Sequence, residues 1–313
     1  MEAPVTLMRI AITGASGMIG QALTPFLATQ GHTVVPISRR VLAGGIRWDP
    51  SRGVLEAREL EGIDAVIHLA GENIAGGRWT PARKRLLRES RIIPTRLLAE
   101  TLARLSQPPK VLISASAVGI YGDRGDELLD ESATTATDFL GTLATEWEAS
   151  ADPARAAGIR VVHPRFGVVL SPAGGALAKL LPPFKLGLGG PMGSGKQWMP
   201  WIAHDDVLGV IRQLLSIETL AGAVNAVAVE RVTNAQFAHT LGWVLHRPAV
   251  IPLPAFALKL AFGELAEATL LASQRVVPGL LERSGYQWRH PTLEGALKHI
   301  AELRRAPSEG PFE

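Results

Sequence analysis

Arg9-Ile10-Ala11-Ile12-Thr13-Gly14-Ala15-Ser16-Gly17-Met18-Ile19-Gly20 decides how the rest of the chain is read. It opens as an apolar strand, Leu7–Thr13, turns through spaced glycines and continues as a helix, the order that begins a βαβ unit. Gly14 permits a tight turn. Gly17 lets the backbone approach a pyrophosphate at the helix N-terminus, where unpaired N–H groups favour anions, and Gly20 lets the helix pack closely on the strand. The spacing is G-x-x-G-x-x-G, one residue longer than the common dinucleotide fingerprint. The expected ligand is a dinucleotide, with Ser16, Met18 and Ile19 lining the phosphates beside the glycines.

Outward from this turn, strand-length apolar runs alternate with helix-period stretches. Thr33–Ser38, Ala65–Leu69, Val111–Ala115 and Ile159–Val162 read as further strands, nearly all apolar as in a parallel sheet covered on both faces. Leu97, Leu98, Thr101, Leu102 and Leu105 fall on one face of a helix over 96–105, and Val207, Ile211, Leu214 and Leu215 on one face of another. The expected fold class is therefore α/β, a Rossmann-type doubly wound parallel sheet with a smaller, mainly helical C-terminal lobe. From Ser171 prolines and glycines interrupt the alternation, with Pro172, Pro182, Pro183 and the run from Gly187 to Gly195, and Val224–Val229 again reads as a buried strand. The expected division assigns 1–170 and 200–229 to the nucleotide-binding domain and 171–199 and 230–303 to the lobe, with a frayed tail over 304–313.

Where dinucleotide binders that hold a free ribose place an acid after the second strand, this chain has Ser38-Arg39-Arg40, with no acid before Asp49. A forked cation there suits a 2′-phosphate, so NADP(H) is the expected cofactor. Composition narrows the remaining classes. The 47% of apolar residues in 313 can bury a sizeable core, and the absence of cysteine removes disulfides, thiolate metal sites and cysteine nucleophiles and fits a reducing cytoplasm. The start, Met1-Glu2-Ala3-Pro4, lacks the form of a secretory signal, and Val250–Ala272 is broken by Pro252, Pro254, Lys259, Glu264 and Glu267. Lys+Arg at 32 against Asp+Glu at 29 leaves too little charge for a nucleic-acid binder, and the cluster Arg83-Lys84-Arg85 with Arg88 and Arg91 reads as a solvated helix face or a rim beside an anion. The expected partner is a small-molecule substrate, not nucleic acid or a membrane, in a cytoplasmic protein.

Val66-Ile67-His68-Leu69-Ala70-Gly71-Glu72-Asn73 and Ser114-Ala115-Ser116-Ala117-Val118-Gly119-Ile120-Tyr121-Gly122 extend the pattern. With Arg78-Trp79, Ser90-Arg91, Pro164-Arg165-Phe166-Gly167, Gly193-Ser194-Gly195 with Gln197-Trp198-Met199, and Ala272-Ser273-Gln274-Arg275-Val276, the chain resembles the extended short-chain dehydrogenase/reductases along nearly its whole length. More narrowly it is similar to their nucleoside-diphosphate-sugar epimerase subfamily, which has its own C-terminal domain and whose members are sometimes labelled cell-division inhibitors. The resemblance implies cofactor contacts at Leu69, Ala70, Gly71, Asn73 and Arg165, and a serine, here Ser116, that polarises the reacting oxygen. It also implies a Tyr-x-x-x-Lys pair on the next helix, whose lysine lowers the tyrosine pKa. That helix reads Asp138-Phe139-Leu140-Gly141-Thr142-Leu143-Ala144-Thr145-Glu146-Trp147-Glu148, with Phe139 and Leu143 in the two places. Tyr121 and Tyr286 are the tyrosines of the chain, so Tyr121 is the candidate replacement acid, its alternative role being packing or substrate lining.

Other suggestive stretches carry less. Gly190-Pro191-Met192-Gly193-Ser194-Gly195-Lys196-Gln197 nearly spells a P-loop, but Gln197 stands where the metal-binding hydroxyl belongs and Trp198-Met199-Pro200-Trp201 cannot continue as the required helix. His204-Asp205-Asp206 has ligand-type residues whose adjacent side chains point apart, so no metal site is expected and an aspartate cap is. His68 reads as a satisfied core histidine, and so does His163. Trp79, Trp198 and Trp201 divide between lining a cleft and packing. Two functions stand: an NADP(H)-dependent oxidoreductase of epimerase-like chemistry, and a catalytically silent NADP(H)-binding regulatory protein.

Overall fold

A computed structural model of the chain describes residues 7–40 and 44–303. The first part runs β1 (Arg9–Thr13), α1 (Met18–Thr29), β2 (Thr33–Ser38), β3 (Ile46–Asp49), β4 (Val54–Leu55), β5 (Ala65–His68), α2 (Pro81–Leu102), β6 (Val111–Ser114), β7 (Ser116–Ala117), β8 (Leu128–Leu129), α3 (Phe139–Ala149), α4 (Asp152–Ala156) and β9 (Arg160–Phe166). Then follow β10 (Val168–Leu170), α5 (Gly175–Lys185), β11 (Trp201–Ala203), α6 (His204–Ser216), β12 (Gly222–Ala226), α7 (Asn234–Leu245), α8 (Ala255–Phe262), β13 (Arg275–Val276), α9 (Gly279–Arg283) and α10 (Leu293–Leu303).

The main sheet has the order β12-β9-β6-β5-β1-β2-β3-β4, parallel except for β3 with β4, and β7 adds to β9. Alternate residues of each strand face opposite layers. Ile10, Ile12, Ile67, Ile113 and Val162 pack with Leu23 and Leu27 of α1 and Val207, Val210, Ile211 and Leu214 of α6. Ala11, Val35, Val66, Leu112 and Val161 face the other way, against Leu98 and Leu102 of α2 and Ala154 of α4. Both faces are covered, which is why these strands read as unbroken apolar runs. A third core joins Leu177, Leu181 and Phe184 of α5 to Phe237 and Leu241 of α7 and Leu297 and Ile300 of α10. The fold is thus a doubly wound α/β sheet with a mainly helical C-terminal region.

Most boundaries move by a residue or two from the expected ones, and several elements differ outright. The strand expected at Ile159–Val162 continues to Phe166, and the one expected at Val224–Val229 is Gly222–Ala226. The helix expected over 96–105 is the last part of α2, a 22-residue helix capped by Thr80, whose hydroxyl accepts from Arg83 N–H at 3.1 Å, with proline in its first turn. Its basic cluster is largely paired, Arg83 with Glu72, Lys84 with Glu264 and Arg88 with Glu146. Within the Pro/Gly-rich stretch lies α5. Pro182 and Pro183 lie inside it, neither able to donate an N–H to the preceding turn, and the helix ends two residues later at Lys185, the Leu186 N–H reaching the Pro182 carbonyl at 3.2 Å. Met1–Pro4 and 304–313 lie outside the described residues. Among the described residues no helix is long and apolar enough to cross a membrane.

Candidate functional site

The sheet reverses its winding between β1 and β5, and the glycine turn sits at the carboxyl ends of these strands. Gly14 has φ +70°, and a Cβ on it would meet the Leu69 carbonyl carbon at 2.8 Å and Ala70 N at 2.9 Å. Only glycine fits there. A Cβ on Gly20 would lie 2.3 Å from the Gly14 carbonyl oxygen, so its absence seats α1 on the turn. Gly17, the N-cap of α1, is exposed, and its missing Cβ would touch just the Gly14 carbonyl oxygen, at 3.2 Å. No side chain caps α1 and its first turn holds no acid. Its leading N–H groups, at Met18, Ile19 and Gly20, therefore remain available to an anion approaching Ser16 and Gly17.

Register places the neighbouring segments. Thr13 pairs with Ile37 on one side and His68 on the other, so Ser38 and Arg39 leave the sheet beside the turn and Leu69–Gly71 leave it opposite. Arg39 and Arg40 are exposed and make no ion pair among the described residues; the Ser38 hydroxyl donates to the Arg40 carbonyl. The exposed Asn73 turns its Oδ1 back to Ala75 N–H at 2.9 Å.

Beneath the turn runs a neutral hydrogen-bond chain. The Thr13 hydroxyl accepts from Leu69 N–H at 3.1 Å and Ala70 N–H at 3.3 Å, so its proton goes to His68 Nδ1 at 2.6 Å. Nε2–H of His68 then donates to the Thr95 hydroxyl at 2.9 Å, which also accepts from Trp147 Nε1–H at 3.0 Å and donates to the Arg91 carbonyl at 2.6 Å. Complete burial lowers the His68 pKa to about 4, which keeps the ring neutral. It is the satisfied core histidine expected. Burial likewise lowers Arg91 to about 10, with its guanidinium over the Trp147 ring.

At the carboxyl end of β9 a second chain is charged. Ser116 on β7 lies opposite Arg165 on β9 and donates to Glu148 Oε1 at 2.6 Å. Arg165 grips the same carboxylate with two bonds of 2.9 Å, and its Nη1 donates to the Tyr121 hydroxyl at 2.9 Å. That hydroxyl donates to Asn225 Oδ1 at 2.6 Å, and Asn225 Nδ2 donates to the Val277 carbonyl at 2.9 Å. Burial pushes the Glu148 carboxyl up, but the Arg165 bonds and charge, then His163 and Ser116, pull it down to a net value below the usual range. The structure brings Ser116 and Tyr121 into one network with Arg165. Arg165, expected at the cofactor, spends its guanidinium on Glu148 and Tyr121. Tyr121, expected as the acid, is fully buried, its hydroxyl lies between Arg165 and Asn225, and burial raises its pKa.

Phe139 stands edge-to-face with Trp79 at 5.1 Å, and Leu143 lies in the same apolar cluster, so no polar pair replaces the missing one at those positions. Glu148 and Asn225 escaped the sequence reading because each acquires a role through partners from distant segments. Gln274 is a third such residue: its buried amide donates at 3.1 Å to the carbonyls of both Val118 and Gly122, clamping the turn that follows Ser116. Trp79 and Trp201 are core residues, while Trp198, half-buried, bonds Asp126 at 2.7 Å beneath Arg275. In the P-loop-like stretch Gln197 donates to the carbonyls of Met192 and Leu270, so the segment is tied inward as a structural loop. Asp206 does not cap α6, whose N-cap is Ala203. It is buried and accepts the N–H groups of Arg289 at 2.6 Å and His290 at 3.0 Å.

Known proteins are similar to this chain in sequence and fold. The profile of the NAD-dependent epimerase/dehydratase family matches residues 10–225, and that of a domain of unknown function (DUF1731) matches residues 253–300. The epimerase family protein Mb2239 of Mycobacterium bovis is 43% identical over 290 residues, 92% of this chain and 96% of that one. The human epimerase family protein SDR39U1 is 40% identical over 298 residues, 94% of this chain and 99% of that one. A crystal structure of human SDR39U1 (isoform 2) with NADPH matches with a TM-score of 0.86 at 39% identity, covering 94% of this chain and 99% of that one. The crystal structure of a nucleoside-diphosphate sugar epimerase from Corynebacterium glutamicum matches with a TM-score of 0.78 at 35% identity, covering 96% of this chain and 60% of that one.

Proposed function

The chain belongs to the NAD-dependent epimerase/dehydratase family, and from that premise we propose that it is an NADP(H)-dependent oxidoreductase of epimerase-like chemistry, acting in the cytoplasm on a sugar-like or other small carbonyl or alcohol. The observation that carries this reading is the glycine turn at the switch point, with an uncapped helix end and, beside it, Arg39 and Arg40, exposed and without an ion pair among the described residues. The relative crystallised with NADPH supports the same cofactor. Residues 1–170 with 200–229 form the cofactor domain in this proposal, and 171–199 with 230–303 the substrate lobe.

Gly14, Ser16, Gly17, Met18, Ile19 and Gly20 would hold the pyrophosphate of NADP(H), Ser38, Arg39 and Arg40 its 2′-phosphate, and Leu69, Ala70, Gly71 and Asn73 its facing edge; when bound it would supply a hydride donor or acceptor. Ser116 holds the reacting oxygen. Because its own proton points at Glu148, its free lone pairs face a substrate hydroxyl. The proton leaving that hydroxyl passes to Ser116 as the Ser116 proton passes to Glu148. Arg165 keeps Glu148 ionised and able to accept, and by the same contact makes it a weak base. General acid–base catalysis is worth about 10²–10⁴-fold, so turnover through this relay is slow beside a tyrosine–lysine pair. The apolar setting of Phe139 and Leu143 favours a second reading, a catalytically silent NADP(H)-binding regulatory protein.

Calorimetry with NADPH and NADH tests the cofactor, and a screen of carbonyl substrates separates the two readings. NADPH should bind about 10- to 150-fold more tightly, from a charge-assisted bond of roughly 1.5–3 kcal/mol, and Arg39→Ala should erase most of that preference. Equal affinities in the unaltered protein would sink the assignment. Binding without turnover on any substrate would favour the silent reading.

A further inference from the structure

His204-Asp205-Asp206 begins α6, and the three side chains diverge. His204 turns to the Met18 carbonyl at 3.2 Å, Asp206 is buried against the 289–290 backbone, and Asp205 faces two histidines from later in the chain. Asp205 Oδ2 lies 3.6 Å from His290 Nε2 and 3.2 Å from His299 Nε2. The two imidazoles stack at 4.7 Å with an interplanar angle of 28°, so both rings present Nε2 to one carboxylate oxygen. His290 Nε2 is shielded from solvent yet has no hydrogen-bond partner. A buried ring nitrogen without a partner carries a cost that a ligand at this point would remove.

We propose that Asp205, His290 and His299 form a binding site for a divalent zinc-type cation. Zinc holds imidazole nitrogen and carboxylate oxygen at about 2.0–2.2 Å in a tetrahedron, which sets neighbouring ligand atoms roughly 3.3 Å apart. The two distances from Asp205 bracket that edge, and the three ligand atoms all lie within 4.8 Å of one another. The histidine pair need close by no more than about 1.5 Å, within reach of small ring rotations. The half-exposed edge leaves a fourth position for water. Arg289, whose guanidinium is 3.7 Å from the same oxygen, is 72% exposed and swings into solvent as the cation enters. Since Asp205 stands on α6 and His299 on α10, the ion clips the last described helix onto the sheet domain. The cysteine-free chain offers no thiolate to compete for it.

The test uses the full chain, stripped with a chelator and titrated with zinc chloride by calorimetry, with thermal melts in parallel. One zinc should bind per chain with micromolar or tighter affinity and raise Tm, and cobalt in its place should give the visible bands of a four-coordinate site. His299→Gln and Asp205→Asn should each weaken binding at least about tenfold, the lower bound set by losses at supporting residues of metal sites. Metal-free melts of the variants check that they fold. His299 is partly exposed, so its replacement leaves the fold intact even if that of Asp205 does not. Absence of saturable 1:1 binding by the unaltered chain, or wild-type affinity in either folded variant, overturns the site.

Discussion

Under the glycine turn Thr13, His68, Thr95 and Trp147 are joined through neutral groups, whereas under Ser116 the chain of bonds runs through a full ion pair, Glu148 with Arg165. Both are buried, and the bonds that link side chain to side chain in both are between 2.6 and 3.0 Å. The neutral chain asks only that one histidine stay unprotonated. Its product is rigidity, since it fixes the strand ends that hold the turn. A buried ion pair contributes little net stability over an apolar replacement, so stability is a poor reason to have one. Its contact with the Ser116 hydroxyl is a better reason, because a carboxylate held ionised there sets the direction of that proton. One network is built to be still and the other to be polarised.

The severest way to break the comparison is Arg165→Met, which strands the Glu148 carboxylate. Urea denaturation should show a loss of about 3–5 kcal/mol, much of it recovered when Glu148→Gln is added. A loss under about 1 kcal/mol would mean that water screens the pair and that the two networks are alike.

Next in size is acid sensitivity. His68 titrates at about 4 in the folded chain against 6.5 unfolded, so between these values the unfolded chain binds the extra proton. The corresponding stability, about 3 kcal/mol at most, is whole above pH 6.5, declines as pH falls through the window and is gone below about pH 4. Glu148 behaves later: its folded pKa lies below 4.5, so its contribution persists at pH 5 and is lost only in stronger acid. Urea unfolding at pH 7, 6 and 5 should thus report the neutral network first. His32 and His163, also lowered by burial, add to the same slope, and His68→Gln should remove about one proton from it. An unchanged slope in that variant would place the acid sensitivity elsewhere.

The smallest effect sharpens the roles. Tyr121→Phe deletes one hydroxyl between Arg165 and Asn225 and should cost about 1 kcal/mol while leaving NADPH affinity and turnover close to wild type. If turnover instead fell by about a hundredfold or more with cofactor affinity intact, Tyr121 would be restored as the proton donor despite its burial.

The glycine turn was legible because its function is local: twelve consecutive residues carry strand, turn and helix start, and apolar runs on both sides announce a covered parallel sheet. The four-residue β3, with exposed Arg47 between buried Ile46 and Trp48, gives no such run and was missed. The helix α5 was hidden by Pro182 and Pro183, which mark a break, and here the break falls just after them, at Lys185. On the reacting side the missing tyrosine and lysine could be read, while their surroundings could not. Glu148 is one carboxylate late on a helix until β7 and β9 bring Ser116 and Arg165 against it. Asp205 has the same history, since the two histidines facing it arrive with the C-terminal region.

Gln274 gives the turn after Ser116 a place in time. During synthesis its clamp on Val118 and Gly122 waits for about 150 further residues, roughly 8–30 s at 5–20 residues per second. Asn225, the acceptor for Tyr121, arrives within the same interval. Until then the carbonyls of Val118 and Gly122 lack the donor that clamps them. The segments of the glycine turn itself, β1, α1 and β5, are synthesised long before. Along the nascent chain the segments of the phosphate cradle therefore emerge early and those of the reacting edge last.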